Sequence, residues 1–194
     1  MVGHRFIRQH IMAIQIFKIL APLTDKPNTP NKKGKTPIHC AADKGHIEIV
    51  RILAPLIDHP NIPRTSIQLA AEKGHAEIVK ILAPLTDDPN APGKDGQTPI
   101  HMAASNGNIE IIKILAPLTH NPNARDKDGM TPIYWAAQNG HAGIVNILAP
   151  LTDNPNAPDN FGRTPICRAA RNGHTEVIQI LAPLNQPGQP NSGK

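Results

Sequence analysis

The sequence predicts an all-α solenoid in which short antiparallel helix pairs stack side by side and β-turn fingers project between them. The first observation behind this prediction is a repeat: the Thr that opens each unit stands at positions 36, 65, 98, 131 and 164, with spacings of 29, 33, 33 and 33. The Leu of Leu-Ala-Pro-Leu recurs at 20, 53, 82, 115, 148 and 181, with the same period and the same single shortening. A fixed period of this length is typical of repeat architectures.

The second observation is a set of start and stop signals for a first helix in each unit. Thr98 offers a hydroxyl N-cap, and Pro99 occupies the first helical position, where its missing N–H has no consequence. The helix is expected to run about two turns to Gly107, because glycine suits a left-handed C-terminal cap. The same place is held in the other units by Gly45, Gly74, Gly140 and Gly173.

The third observation is a second helix with one apolar face, as in Ala76–Leu82. It should end around Leu-Ala-Pro, since proline lacks a donor and disfavours helix in the residue before it. The following Asp-x-Pro-Asn, and Lys-Asp-Gly at 94–96 and 127–129, indicate an extended segment that closes in a tight turn. One helix pair cannot bury its own apolar face, so neighbouring units must shield each other.

Taken together, Thr-Pro-Ile-His-x-Ala-Ala-x-x-Gly-His-x-Glu-Ile-Val-x-Ile-Leu at a 33-residue period resembles the ankyrin repeat over residues 36–184, five units. The resemblance implies a curved stack that binds a protein partner through its fingers and its concave helix face, without enzymatic activity of its own. It also implies that His39 and His101, each in its own unit, form a hydrogen bond that ties the opening Thr to the neighbouring turn.

Two features depart from the family pattern. The family usually places Gly after the second helix, whereas this chain has Thr24, Thr86, Thr119 and Thr152. Because Thr resists positive φ, the turn must be built differently, and the angle between units stays open. In the second unit only three residues separate Asn61 from Thr65, where other units have seven. We expect this deletion to remove a finger tip and to leave the helices unchanged.

These patterns divide the chain into three parts. Residues 1–35 are expected to form a degenerate N-terminal capping repeat and the first finger, residues 36–184 five repeats that start near 36, 65, 98, 131 and 164, and residues 185–194 a flexible tail. The basic, amphipathic start of the chain could instead be a targeting signal. Its continuation into Ala21-Pro22-Leu23 in register favours the capping repeat. The last unit looks like an interior one, which suggests a fragment or a close relative of a longer array.

Charge and composition exclude several classes of function. The net charge is +5, but seven of the basic residues lie in the first 35, so no basic groove runs along the whole length. With only five aromatic residues, the chain also lacks the stacking side chains that single-stranded nucleic acid requires. Nucleic-acid binding through the N-terminal basic cluster is therefore the less favoured alternative. No apolar stretch is long enough to predict a membrane span.

Histidines and cysteines do not form a pattern that predicts catalysis or metal binding. Four histidines recur once per unit: His46, His75, His141 and His174. Units along a stack are far apart, whereas the ligands of one metal ion must converge on one point. We predict structural hydrogen bonds for them, and no metal, no cofactor and no catalytic residue. Cys40 and Cys167 lie in the first and fifth units, too far apart to bond, and unpaired thiols indicate a reducing compartment, the cytoplasm or the nucleus.

Residues that vary between units at the finger tips and near the first helices are the predicted partner-binding positions: Lys32, Lys33, Lys94, Asp95, Lys127, Asp128, Trp135, Asn160, Phe161 and Arg171. For Trp135, packing between units is favoured over a role as an interface anchor. Further variable positions end the first helices, among them Asn106, Asn139 and Asn172. Their mixed polar character predicts a polar or charged protein partner, mildly acidic toward the N-terminal end.

We therefore predict a monomeric, non-catalytic protein–protein interaction module that acts as an adaptor or scaffold. The alternative is the recognition arm of a larger multidomain protein or enzyme.

Overall fold

The structure is a computed structural model that describes residues 29–32, 34–57 and 61–185, without the side chains of 61–63 and 185. Most of the predicted capping repeat, nearly all of the predicted tail, Thr24 and the candidate Lys33 therefore lie outside the described residues. Within the described ranges the chain forms ten α-helices and no strand, which confirms the all-α class.

Each unit contributes two α-helices, with a short 3₁₀ turn after the second. The first helices are α1 (Pro37–Lys44), α3 (Asn61–Lys73), α5 (Pro99–Asn106), α7 (Pro132–Gln138) and α9 (Pro165–Arg171). The second helices are α2 (Ile47–Leu53), α4 (Ala76–Leu82), α6 (Ile109–Leu115), α8 (Ala142–Leu148) and α10 (Thr175–Leu181). The 3₁₀ turns are Ala54–Leu56, Ala83–Leu85, Ala116–Leu118, Ala149–Leu151 and Pro183–Asn185.

The predicted Thr caps of the first helices are confirmed in units three to five, whereas Thr65 lies inside α3 and does not cap it. The Thr98 hydroxyl accepts a hydrogen bond from the backbone N–H of His101 at 3.4 Å, and Thr131 and Thr164 cap their helices in the same way. All five predicted cap glycines have a φ between 73° and 79°. At Gly107 an added Cβ would also lie 2.7 Å from the ring of His141, so conformation and space both favour glycine there.

The core is one continuous layer between the helices of successive units. First helices pack against first helices, and second helices against second helices, in chain order. The core residues recur at the same places in each unit, with Ile38, Ile67, Ile100 and Ile133 from first helices and Leu53, Leu82, Leu115, Leu148 and Leu181 from second helices. Small Ala pairs on the first helices, such as Ala103 and Ala104, are fully buried and allow close approach. Each unit thus buries its neighbours' apolar faces.

The turn after each second helix is built without glycine, as the sequence predicts. The 3₁₀ turn is followed by Thr in an extended conformation, with φ of −143° at Thr86, −121° at Thr119 and −144° at Thr152. Buried asparagines complete the connection: Asn123 donates to the carbonyl of Leu148 in the next unit at 3.2 Å. Leu148 is the last residue of its helix, where carbonyls have no N–H donor inside the helix, and the Asn123 amide supplies one.

The second unit corrects one prediction. Helix α3 begins at Asn61 and has 13 residues, whereas the other first helices have seven or eight. The expectation that the deletion leaves the helices unchanged is therefore wrong. Too few residues remain before Thr65 to close a finger, and the segment continues as helix instead. Pro63 falls in the first helical turn, where a backbone N–H has no partner in the helix anyway.

Candidate functional site

Three fingers stand in a row at residues 93–97, 126–130 and 159–163. Each is closed by a backbone hydrogen bond from its first residue to its fifth, at 2.8 to 2.9 Å. Neighbouring tips are also bonded to each other: Lys127 N donates to Asp95 O at 3.1 Å, and Asn160 N donates to Asp128 O at 2.9 Å. We call these three segments the finger row. Its backbone forms a continuous hydrogen-bonded edge across units three to five.

Two buried carboxylates shape the fingers from within. Asp126 Oδ1 accepts from the backbone N–H groups of Asp128 at 3.1 Å and Met130 at 2.9 Å. Asp159 makes the same pair of bonds one unit later, with Phe161 and Arg163. The sequence prediction did not include these residues. The available signal was that each Asp stands five residues before the opening Thr of its unit.

Asp159 also collects side-chain donors from two directions. Arg163 Nε lies 2.6 Å from Asp159 Oδ2, and the Tyr134 hydroxyl donates to the same oxygen at 2.9 Å. Burial by itself raises the pKa of Asp159, but the backbone and side chain of Arg163, the Tyr134 hydroxyl and the backbone of Phe161 outweigh it and hold the pKa at about 2. Asp159 is therefore a charged anchor for the fifth finger at neutral pH.

In units three and four, the third residue of the first helix, counted from its Pro, reaches the next finger: His101 reaches Met130 and Tyr134 reaches Asp159. His101 Nε2 donates to the Met130 carbonyl at 3.1 Å, which confirms the bond that the resemblance implies. Because Thr98 N donates to His101 Nδ1 at 3.1 Å, the ring proton must be on Nε2. Burial lowers the pKa of His101 in spite of the opposing Met130 bond, so the ring is neutral at pH 7. Gln68, at the corresponding place in the second unit, donates instead to the Ala91 carbonyl at 3.1 Å, two residues before the finger at 93–97.

His39 in the first unit is the exception. Its Nδ1 accepts from Thr36 N at 3.0 Å, as in His101, but its buried Nε2 has no hydrogen-bond partner among the described residues. The reason is the deletion, since Arg64 stands at the sequence place of Met130 and lies inside α3. Burial, and then the charge of Lys35, lower the pKa of His39. The shortened unit thus leaves a polar atom of its neighbour unsatisfied.

Beneath the finger row, the first helices of units two to four form a groove of about 280 Å³. We call it the first-helix groove; it is lined by Glu72, Gln97, His101, Met102, Ser105, Asn106 and Trp135. Trp135 is half-buried, and its Nε1 donates to Asp126 Oδ2 at 3.3 Å. The indole is held in place by this bond while part of it faces the groove.

Comparison with known proteins identifies the architecture. A family model described as ankyrin repeats matches three overlapping stretches, residues 8–92, 67–159 and 100–192. The chain belongs to the ankyrin repeat family. Ankyrin repeats are generally protein–protein interaction modules and are typically non-catalytic. The search of curated proteins found no match to this chain.

The ankyrin stack exposes the predicted partner-binding residues but brings only some of them together. Lys32, Lys94, Asp95, Lys127, Asp128, Asn160, Phe161 and Arg171 are all exposed. Lys127 Nζ lies 3.8 Å from Asp95 Oδ1, and Asn160 Nδ2 donates to Lys127 O at 2.9 Å. Arg171 does not join them, since it ends α9 and the fingers precede the first helices. Lys32 is separated from the finger row by the unit that lacks its tip.

Three of the further variable positions act between ankyrin units instead. The Asn side chains donate to carbonyls of the preceding unit: Asn106 to Glu72 at 3.0 Å, Asn139 to Ser105 at 2.8 Å and Asn172 to Gln138 at 2.7 Å. His141 and His174 donate from Nε2 to the same Ser105 and Gln138 carbonyls, at 3.2 and 3.0 Å. The predicted structural role of His141 and His174 is confirmed. The three Asn side chains also form hydrogen bonds between neighbouring units, so their amides are not free for a partner.

The described part of this ankyrin chain offers no group of three or more His, Cys, Asp or Glu side chains that could hold a metal ion. Cys40 and Cys167 are free and exposed. Within residues 29–32, 34–57 and 61–185, no helix combines the length and the apolar character that crossing a membrane requires.

Proposed function

We propose that this ankyrin protein is a non-catalytic adaptor or scaffold that binds a protein partner through the finger row and the first-helix groove. The observation that carries the proposal is the bonding between tips, from Lys127 N to Asp95 O and from Asn160 N to Asp128 O. A surface that is already ordered loses little conformational entropy when a partner binds. Units three to five therefore present a prepared edge, on which side chains can vary without loss of the backbone geometry.

The side chains on this surface favour a partner that combines one apolar anchor with polar contacts. Trp135 borders the groove and is fixed by Asp126, so that a partner side chain can pack against a rigid aromatic wall. At the tips, Lys94 and Lys127 provide positive charge and Phe161 an exposed ring. The ion pair of Lys127 with Asp95 is exposed and contributes little to stability, so its charges are available to a partner.

The test begins with affinity capture and mass spectrometry on the intact chain, after which the captured protein is purified and its Kd is measured. A variant with Lys94→Ala, Lys127→Ala and Phe161→Ala should raise the Kd at least tenfold. The matched control is Lys80→Ala with Lys113→Ala, two exposed lysines on the second helices. Equal weakening by the control, or full affinity of the tip variant, would contradict the proposal.

Trp135→Ala examines the groove separately. If Trp135 is an anchor, Trp135→Ala should raise the Kd for the partner more than any single tip substitution does. The melting midpoint should fall only slightly, because the indole is only partly buried and makes one hydrogen bond of 3.3 Å. A large loss of stability with unchanged affinity would instead mean that the ring acts in packing alone.

We further infer that the protein works as a monomer in a reducing compartment, the cytoplasm or the nucleus. The two free, exposed thiols of Cys40 and Cys167 support the reducing compartment, since such thiols are rare in oxidising compartments. Imaging of the tagged chain, with labelling of the two thiols in intact cells, tests the inference.

A further inference from the structure

A row of exposed apolar residues lies on the second-helix side of the stack, away from the first-helix groove. Leu85, Leu118, Leu151 and Leu184 are between 42% and 53% exposed, and they recur every 33 residues. Each follows an exposed proline: Pro84, Pro117, Pro150 and Pro183. We call these eight residues the Pro-Leu row. In the described part of the chain, its leucines are four of the six large apolar side chains that are exposed.

The fold does not require leucine at these positions. The first leucine of each Leu-Ala-Pro-Leu, for example Leu115, is fully buried and packs in the core. The alanine that follows it, Ala116, is also buried. The second leucine follows the proline and leaves about half of its surface in water. Single exposed leucines are ordinary, but an aligned set in four successive units is the kind of apolar patch that marks an interaction site.

The spacing of the Pro-Leu row matches one kind of partner. Helices α4, α6, α8 and α10 pack against each other in order, so the turns that follow them are also in line. Packed helices lie roughly 8–10 Å apart, which sets the distance between successive leucines. In an α-helix, residues seven apart share a face and are separated by about 10.5 Å. An α-helix laid along the row can therefore place an apolar residue against each leucine.

The charges beside the Pro-Leu row indicate which charge the partner helix should carry next to its apolar residues. Asp87 and Asp88 follow Leu85 by two and three residues, and Asp153 follows Leu151 by two; all three are exposed. At the corresponding place, the third unit has the uncharged Asn121 beside His120. Acidic residues next to apolar ones attract Lys and Arg on the partner and disfavour an anionic membrane surface.

We propose that the Pro-Leu row is a second docking surface, which binds a basic amphipathic α-helix with apolar residues at seven-residue intervals. This surface is separate from the finger row and the first-helix groove, so the protein can hold two partners at once. The inference does not depend on the proposed function of the fingers.

The test uses synthetic helical peptides of about 24 residues with Leu at four positions seven apart. One peptide has Lys beside each Leu, a second has Glu there, and a third has Lys with Ser in place of Leu. The full chain should bind the Leu-Lys peptide at least tenfold more tightly than either of the others. Equal binding of the Glu peptide, or of the Ser peptide, would overturn the proposal.

Variants then locate the site. Leu85→Ser, Leu118→Ser, Leu151→Ser and Leu184→Ser combined should weaken the Leu-Lys peptide at least tenfold, with the helical circular dichroism retained. The matched control is Ile109→Ser, another large apolar residue that is exposed in the described part of the chain, and it should bind the peptide like the wild type. If the fourfold variant does not fold, Leu118→Ser alone should still weaken the peptide, and unchanged affinity would refute the site.

A charge variant and vesicles complete the experiment. A variant that combines Asp87→Asn, Asp88→Asn and Asp153→Asn should bind the Leu-Lys peptide more weakly, and the ratio of its Kd values for the Glu and Leu-Lys peptides should fall. If this ratio is unchanged, the three aspartates do not select a basic helix. Phosphatidylserine-containing vesicles should not bind the chain. Vesicle binding that requires the four leucines, without peptide binding, would assign the row to membranes and overturn the proposal.

Discussion

Replacement of His101 and of His39 by alanine should have unequal effects on stability, although the two side chains occupy equivalent places. Both are buried, with 1% and 7% of their surface exposed, and both accept a hydrogen bond from their opening Thr through Nδ1. The difference that matters here is the partner of Nε2. That atom donates to the Met130 carbonyl in His101, whereas in His39 no described residue accepts from it.

The expected difference can be worked out from this one atom. His101→Ala removes a hydrogen bond that contributes about 1 kcal/mol, while the Met130 carbonyl keeps its other donor, the Asp126 backbone N–H. His39→Ala removes instead a buried donor whose lack of a partner costs roughly 1–3 kcal/mol in the wild type. The free energy of unfolding should therefore fall by about 2 kcal/mol more for His101→Ala than for His39→Ala.

The measurement is urea unfolding followed by helical circular dichroism. Because His39 and His101 lie in different units, Ile38→Val and Ile100→Val serve as controls. Both side chains are fully buried, and each substitution should lower the free energy of unfolding by about 0.5–1.5 kcal/mol. Any difference between the two controls measures the effect of position and is subtracted. If His39→Ala then destabilises the protein as much as His101→Ala, the Nε2 argument is refuted.

Three further predictions concern pH and backbone conformation. Asp159, with a pKa of about 2 in the fold against 3.8 ordinarily, stabilises the protein above pH 3.8 and loses that contribution as pH falls toward 2. Asp159→Asn should lower the free energy of unfolding at pH 7 and flatten an acid titration in this window; an unchanged titration would contradict the assignment. Burial lowers the pKa of His101 below 6.5, so its unfolded form takes up a proton first and stability should decline as pH falls below about 6.5. His101→Gln should reduce that decline, and an equally steep curve would show that another group is responsible. Gly107→Ala should lower the melting midpoint more than Gly173→Ala does. Both positions have a positive φ, which costs an alanine about 1–2 kcal/mol, but only at Gly107 would the new Cβ also meet the ring of His141. Equal melting points for the two variants would argue against that steric term.

Much of the fold could be predicted because it depends on local chemistry. Thr98, Pro99 and Gly107 each fix one backbone feature of the first helix, and the structure has all three where the sequence indicates them. The Thr that replaces Gly after the second helix predicts a different turn, and Thr86 is extended after a 3₁₀ turn. Such signals are read within a few residues and repeat in register, so one unit predicts the next.

The features that sequence reasoning missed depend on contacts between units or on the path of the chain. Whether a shortened loop closes as a turn or continues as helix is decided by where its ends must lie, and Asn61 became the start of α3. The variable Asn139 resembled a surface position, but its acceptor on Ser105 lies 34 residues away. The same is true of Asp159, whose donor Tyr134 comes from the preceding unit.

The pairing of side-chain amides with carbonyls across unit boundaries has a consequence for how the molecule can change in length. Asn139 reaches back to Ser105 in the same way as Asn172 reaches back to Gln138. A copy of residues 131–163 inserted after itself would meet a matching donor and acceptor at both junctions, so the array could grow in the genome by whole-unit duplication. A copy of the second unit would instead add another interruption to the row of finger tips, so duplication of the fourth unit would disturb the stack less than duplication of the second.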